Sequence, residues 1–206
     1  MLARKILKVL AQEINENEKA NIIAQLCKDE IYMQETSKNN KPAANRFKFI
    51  QKEFSKKGIH PAFRKVHRYE RTGALVFTNS YILCTFNDEK FPAELIASED
   101  EKLSYVDRTI DYCIRDAGDR NRNRICAEVK YSDVKEHLAV LPNKREKEND
   151  LIQVGESLFR TVLLEKIFKF YSTNSLVLYT KDKCVAYGYH DNNVYLIVPV
   201  IKDDLP

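Results

Sequence analysis

The chain has 206 residues and a mass of 24.0 kDa, with 34 Lys and Arg against 30 Asp and Glu, for a net charge of +4. Its 44% share of hydrophobic residues excludes wholesale disorder, and no run reaches the roughly 20 apolar residues that a transmembrane helix needs. The length predicts one compact domain with a small appendage. The five cysteines are odd in number and lack a CxxC pair, which predicts buried thiols in a reducing cytoplasm and excludes a disulfide framework or zinc site.

The first part of the chain is predicted to be helical. Residues 2–14 and 20–33 carry apolar side chains at helical spacing with charged residues between them. Residues 36–42 are rich in loop-forming residues and predict a linker. We therefore expect residues 1–37 to form a helical arm that precedes the main domain.

One helix and three strands are predicted next. Residues 43–57 place Phe47, Ile50 and Phe54 on one face of a helix, and Gly58 is a typical residue after a helix end. Strand-like runs follow at 63–69, 74–78 and 81–87.

The C-terminal part repeats this order. A helix over 157–171 with a broad apolar face precedes strand-like runs at 176–180, 184–189 and 194–201. Two copies of a helix followed by three antiparallel strands predict an α+β fold in which two helices back one sheet or a pair of sheets.

The insert between the two copies, residues 88–150, has mixed patterns. We expect a helix over Leu103–Ile114, an exposed Arg-rich loop over Asp116–Arg124, a strand over Ile125–Tyr131 and a charged loop over Asn143–Asp150.

The positive charge is concentrated in one window. From Lys38 to Arg71 there are eleven basic residues against two glutamates, a net of nine positive charges, so the other residues carry a net of five negative charges. Such a concentration favours a polyanionic partner, and phosphate backbones are the commonest candidate. The alternative is a solvated helix face together with a basic strand edge.

Two stretches resemble the bacterial DNA sliding clamp, the polymerase processivity factor. The first is the C-terminal run of a strand at 151–154, a helix at 158–170, a strand at 175–179 and the ending Tyr195–Val200, where clamps end in "YLIMPM" or similar. The second is the helix through Phe54 with the segments 60–66 and 73–83, although Asn79 stands where clamps have Asp.

The resemblance implies a clamp-like domain over 43–206 and a non-catalytic protein of DNA replication, consistent with a phage origin. The clamp helices face DNA without reading sequence, and the chain has room for one clamp domain, so a ring would need a homo-oligomer. The expected DNA-binding residues are Arg46, Lys48, Lys52, Lys56, Lys57, Arg64, Lys65 and Arg68.

Clamps also bind partner peptides near their last strand. The matching positions here are Val198, Pro199, Val200 and Ile201. The alternative for these four residues is an edge strand packed in the core.

Two other functions stay open. The partner could be a protein of the replication machinery instead of DNA, and a phage-borne protein with this fold could bind a host-defence protein. A metal-dependent nuclease is the second alternative, because Glu128 and Lys130 on a predicted strand, with Asp116 and Asp119 upstream, loosely resemble the PD-(D/E)xK nuclease pattern.

No sequence pattern indicates a metal site, a phosphate-binding loop or a cysteine nucleophile. The histidines His60, His67, His137 and His190 do not have metal-ligand spacing, and neither GxxxxGK[ST] nor GxGxxG occurs. Cys113 or Cys126 as a nucleophile would need a base that the sequence does not identify. We therefore expect no cofactor, no metal and no membrane partner.

Overall fold

The computed structural model of the protein describes residues 2–119 and 124–201. Helices within these residues are α1 (Leu2–Leu10), α2 (Glu16–Asn39), α3 (Lys41–Phe54), α4 (Tyr105–Asp119), α5 (Tyr131–Ala139), α6 (Lys144–Asn149) and α7 (Thr161–Tyr171). Strands are β1 (His67–Arg68), β2 (Leu75–Thr78), β3 (Ile82–Phe86), β4 (Ile125–Lys130), β5 (Leu151–Val154), β6 (Ser157–Arg160), β7 (Ser175–Thr180), β8 (Ala186–His190) and β9 (Asn193–Ile197).

Seven of the strands form one antiparallel sheet in the order β1-β2-β3-β9-β8-β7-β4, and β5 and β6 form a small hairpin. The two segments of three strands meet at the centre of the large sheet, where Leu83 of β3 lies opposite Leu196 of β9. Since α3 precedes β1–β3 and α7 precedes β7–β9, the predicted order of helix and three strands occurs twice. The α+β prediction is confirmed, whereas the clamp-like character of the two units stays a prediction.

The main core lies between one face of the sheet and the pair of helices α3 and α7. Phe170 of α7 is fully buried, with ring centroids 5.7 Å from Phe77 of β2, 5.6 Å from Phe86 of β3 and 5.8 Å from Phe49 of α3. These contacts hold the two helices side by side on the sheet. A second, smaller core on the opposite face packs Val106 and Ile110 of α4 against strand residues.

The N-terminal helix α2 packs directly against the core, and only one residue separates it from α3. The loop predicted at 36–42 is wrong, because α2 continues to Asn39 and α3 begins at Lys41. Asn40 ends one helix and caps the next, and its side chain accepts a hydrogen bond from Ala43 N at 3.1 Å. A capping asparagine and Pro42 near the start of α3 mark a helix boundary as well as they mark a loop. Tyr32 of α2 is buried against Phe47 of α3 and donates a hydrogen bond to Asp88.

Three other predicted segments differ in type from the structure. The predicted loop at Asn143–Asp150 contains α6, whose N-cap Asn143 accepts from Glu146 N at 3.0 Å. Residues 157–160, predicted as helix, form β6, because Leu158 pairs with Gln153 of β5 and with Val200. The strand predicted at 63–69 is reduced to β1, because residues 61–64 form a 3-10 turn and only His67–Arg68 form the strand.

The predicted Asp116–Arg124 loop is only partly testable. Residues 116–119 belong to α4, and residues 120–123 lie outside the described residues. The predicted helix over 103–114 and strand over 125–131 are confirmed as α4 and β4.

The cysteines differ in their burial. Cys84 and Cys113 are buried as predicted, Cys27 and Cys184 are half-buried, and Cys126 is exposed on β4, so the prediction of buried thiols is wrong for Cys126. Within residues 2–119 and 124–201, no helix is long and apolar enough to cross a membrane.

Candidate nucleic-acid interface

A basic groove lies between α3 and α7, with α6 at its rim. We call it the lysine groove, and its volume is about 640 Å³. Its lysines come from three parts of the chain: Lys48, Lys52, Lys56, Lys144, Lys147, Lys166 and Lys169. Three glutamates, Glu53, Glu148 and Glu165, also line it, so the lining carries a net of four positive charges. The groove is therefore a concave surface with a local excess of positive charge.

The amphipathic pattern of α3 places its lysines on one wall. Ala43, Ala44, Phe47 and Ile50 are buried on the core side of the helix, which leaves Lys48 and Lys52 exposed, four residues apart. Four residues of helix rise by about 6 Å, so the two ammonium groups start from neighbouring turns of the same face.

A buried carboxylate organises the centre of the groove. Glu53 is 5% exposed, and its two oxygens accept from two lysines: Oε1 from Lys56 Nζ at 2.5 Å and Oε2 from Lys166 Nζ at 3.1 Å. Burial lowers the pKa of Lys166, and the attraction of the Glu53 carboxylate opposes that shift. Glu53 thereby ties α3 to α7 and neutralises one of the two lysine charges that it holds.

The remaining lysines of the groove differ in how they are paired. Lys169 pairs with Glu165 at 2.6 Å, and Lys144 pairs with Glu148 at 3.4 Å. Among the described residues, Lys48, Lys52 and Lys147 have no acidic partner in the structure. An unpaired lysine can bind a phosphate without first breaking an ion pair with a carboxylate.

The structure separates the predicted DNA-binding residues. Lys48, Lys52 and Lys56 line the groove. Arg46 is half-buried on the core side, where its guanidinium lies 5.0 Å from the centre of the Phe86 ring and 5.6 Å from that of Phe170. Burial lowers the pKa of Arg46. Its cation–π contacts stabilise the core and take it away from the groove.

The other predicted residues lie at the end of α3 or near β1. Lys57 and Arg64 are exposed and do not line the groove. Lys65 Nζ donates to the carbonyl oxygen of Glu94 at 2.7 Å, and Arg68 Nη1 donates to that of Gly73 at 2.9 Å. We call Lys57, Arg64, Lys65 and Arg68 the basic edge.

Sequence reasoning missed the contribution of α6. Lys144 and Lys147 fall in the segment that the sequence predicts as a loop, yet their spacing of three residues on a helix places both on one side. The signal that could have located them is Asn143 followed three residues later by Glu146, a helix N-terminus pattern.

The predicted peptide-binding segment continues from a central strand. β9 lies between β3 and β8, and at Val198 the chain leaves the large sheet. Val198 N donates to Tyr81 O at 2.9 Å, and Val200 N donates to Leu158 O at 2.8 Å, so this segment connects the large sheet to the hairpin. Val198 is 37% exposed, and Pro199, Val200 and Ile201 are half-buried. Peptide binding there stays a prediction.

The nuclease pattern falls only partly on described side chains. Glu128 on the edge strand β4 accepts a hydrogen bond from Ser175 Oγ at 2.7 Å. Asp116 and Asp119 belong to the last part of α4, and their side chains lie outside the description. In the described part of the chain, no group of three or more His, Cys, Asp or Glu side chains is placed to hold a metal ion.

The chain was compared with protein-family models, with curated proteins and with solved structures. None of the three comparisons finds a match. The resemblance to sliding clamps therefore rests on the sequence segments given above, and the functional argument rests on the groove itself.

Proposed function

We propose that the protein binds DNA without sequence preference, through the lysine groove. The observation that carries this proposal is the convergence of seven lysines on one concave surface, from α3, α6 and α7 and from Lys56, two residues beyond the end of α3. Lysine ammonium groups attract phosphates of any sequence, and that attraction supplies most of non-specific binding.

The proposal is a binding function in the cytoplasm without a catalytic step. Together with the resemblance to sliding clamps, it favours a role as an accessory of DNA replication. A docking role toward a replication or host-defence protein is the alternative that the sequence left open.

The test compares a groove variant with a variant of equal charge change outside the groove. Lys48→Glu/Lys52→Glu alters the groove, and Lys57→Glu/Arg64→Glu alters the basic edge by the same four charges. Fluorescence anisotropy is measured with labelled oligonucleotides of two unrelated sequences, as single strands and as duplexes. At about 0.15 M salt the Debye length is about 8 Å, so distant charges contribute little.

We expect the groove variant to lose at least about tenfold in affinity and the edge variant to change by less than about threefold, with both sequences bound equally. For three or four phosphate contacts, wild-type affinity falls by about one to two orders of magnitude between about 50 and 200 mM salt. The proposal is wrong if neither form of DNA binds, or if the edge variant loses as much affinity as the groove variant.

A further inference from the structure

We infer that the lysine groove receives a single strand of nucleic acid in preference to a duplex. This inference rests on the proposed function and adds the form of the ligand to it. Its first support is the close packing of the two helices that form the walls of the groove. Two helices in direct contact have axes about 8–10 Å apart, and α3 and α7 are in contact through Phe49 and Phe170, whose ring centroids are 5.8 Å apart.

A duplex cannot enter the space between two helices that are in contact, because it is wider than a helix: its major groove alone, about 12 Å wide, admits an α-helix. It could rest only on the ends of the lysine side chains along the two walls. A single strand can instead lie along the furrow above the contact between the two helices, with its bases turned toward the floor and its phosphates at the ammonium groups.

The floor of the groove gives the second support. Between the lysines, the half-buried apolar side chains of Phe49 and Val162 line the groove. A duplex presents sugars and phosphates on its outside, and its base faces are stacked inside, so it offers no surface that matches an apolar floor. A single strand can turn a base inward onto an aromatic ring, a contact that occurs with every base and is therefore tolerant of sequence.

The placement of the charges gives the third support. The unpaired Lys48 and Lys52 follow one wall and Lys147 stands at the α6 rim, so the backbone of one strand can follow the α3 wall while its bases face Phe49. Glu53 keeps the heads of Lys56 and Lys166 at the centre of the groove partly neutralised. Three or four phosphate contacts with a single strand predict a slope of log affinity against log salt of about −2 to −3.

The experiment measures affinity for a labelled single strand and for a duplex of the same length, with Phe49→Leu as the test variant. Phe63→Leu makes the same substitution at a half-buried position outside the groove and is the matched control. We expect the single strand to bind wild-type protein at least about tenfold more tightly than the duplex. Loss of one stacked base predicts a fall of about 5- to 150-fold for Phe49→Leu on the single strand, with the duplex unchanged and Phe63→Leu without effect.

A second measurement keeps the test independent of how Phe49→Leu folds. A strand carrying a photoreactive thymine analogue is cross-linked to the wild-type protein, and the attachment site is mapped by mass spectrometry. We expect attachment at Phe49 or its neighbours on the groove; attachment only outside the groove would overturn the inference.

The outcomes separate the two proposals. Equal or tighter duplex binding that remains sensitive to Lys48→Glu/Lys52→Glu overturns the preference for a single strand and leaves the proposed function standing. Equal competition by poly-glutamate and by a single strand at matched charge also overturns it, because the groove would then recognise charge alone. Absence of groove-dependent binding to either form of DNA overturns both proposals.

Discussion

Three lysines of the lysine groove and all four residues of the basic edge come from the same basic window of the sequence, yet the structure uses their charges differently. In the groove, lysines from distant parts of the chain gather around an apolar floor, and Lys48 and Lys52 are left unpaired by the described residues. At the edge, Lys65 and Arg68 donate to backbone carbonyls of their own fold. A run of positive charge in a sequence can thus divide into a part available to a ligand and a part that holds loops in place.

The largest expected effect comes from the core that supports both walls of the groove. Phe170→Ala removes a fully buried ring that contacts Phe49, Phe77 and Phe86. We expect a loss of about 3–5 kcal/mol in the free energy of unfolding, measured by urea denaturation, because the substitution leaves a cavity. A loss below about 1 kcal/mol would mean that the packing of α3 and α7 on the sheet is described wrongly.

Glu53→Gln tests whether the groove is organised by its buried carboxylate. The change leaves the partly buried Lys166 without its negative partner, and we expect a loss of about 1–3 kcal/mol in unfolding free energy. Glu165→Gln, which breaks the helical pair with Lys169, is the control and should cost about 0.3–0.5 kcal/mol. Equal losses from both variants would contradict a special role for Glu53.

We expect the stability of the fold to depend on pH through His67, which lies near the basic edge. His67 on β1 is buried, and its Nε2 lies 3.2 Å from Ala62 O. Burial lowers the pKa of His67, and the charge of Lys102 lowers it further. The carboxylates of Glu101 and Asp107 oppose this shift but do not cancel it. Because the unfolded chain binds a proton near pH 6.5 and the folded chain resists it, stability should fall as pH drops below about 6.5.

The lowered pKa of His67 therefore gives the fold stability above about pH 6.5 that is lost on acidification. Denaturation series across pH with wild type and His67→Gln measure this contribution. We expect the variant to show a shallower loss of stability on acidification. The same slope in both proteins would show that other groups cause it.

The smallest effect is expected at Arg68. Arg68→Ala removes one hydrogen bond from an exposed side chain to Gly73 O, and we expect a loss below about 1 kcal/mol in unfolding free energy. DNA affinity should change by less than about twofold, because the edge lies outside the groove. An affinity loss as large as that of the groove variant would remove the distinction between the two regions.

Much of the fold could be predicted from local patterns. The apolar faces of α3 and α7 and the alternating strands around them gave the repeated order of helix and strands, and the resulting α+β class is confirmed. Asn40 and Asn143 were misleading because asparagine favours both loops and helix N-caps, and the choice depends on the residues that follow.

The groove itself could be predicted only in part. The lysines of α3 stand out in the sequence, but Lys144 and Lys147 join them only through the tertiary placement of α6. The orientation of Arg46 toward Phe86 and Phe170 likewise depends on strands that pack beneath α3. Charge patterns identify a candidate helix, and packing decides which of its side chains are free to bind.

The most direct test of the groove as the DNA contact is lysine-reactive footprinting of the wild-type protein with and without bound oligonucleotide. An amine-specific reagent modifies exposed lysines, and mass spectrometry reports the extent of modification at each position. Lys57 and Lys90 are exposed lysines outside the groove and serve as internal controls. We predict protection of Lys48, Lys52 and Lys147 on binding and unchanged modification of Lys57 and Lys90. Protection of the two controls without protection of the groove lysines would contradict the account.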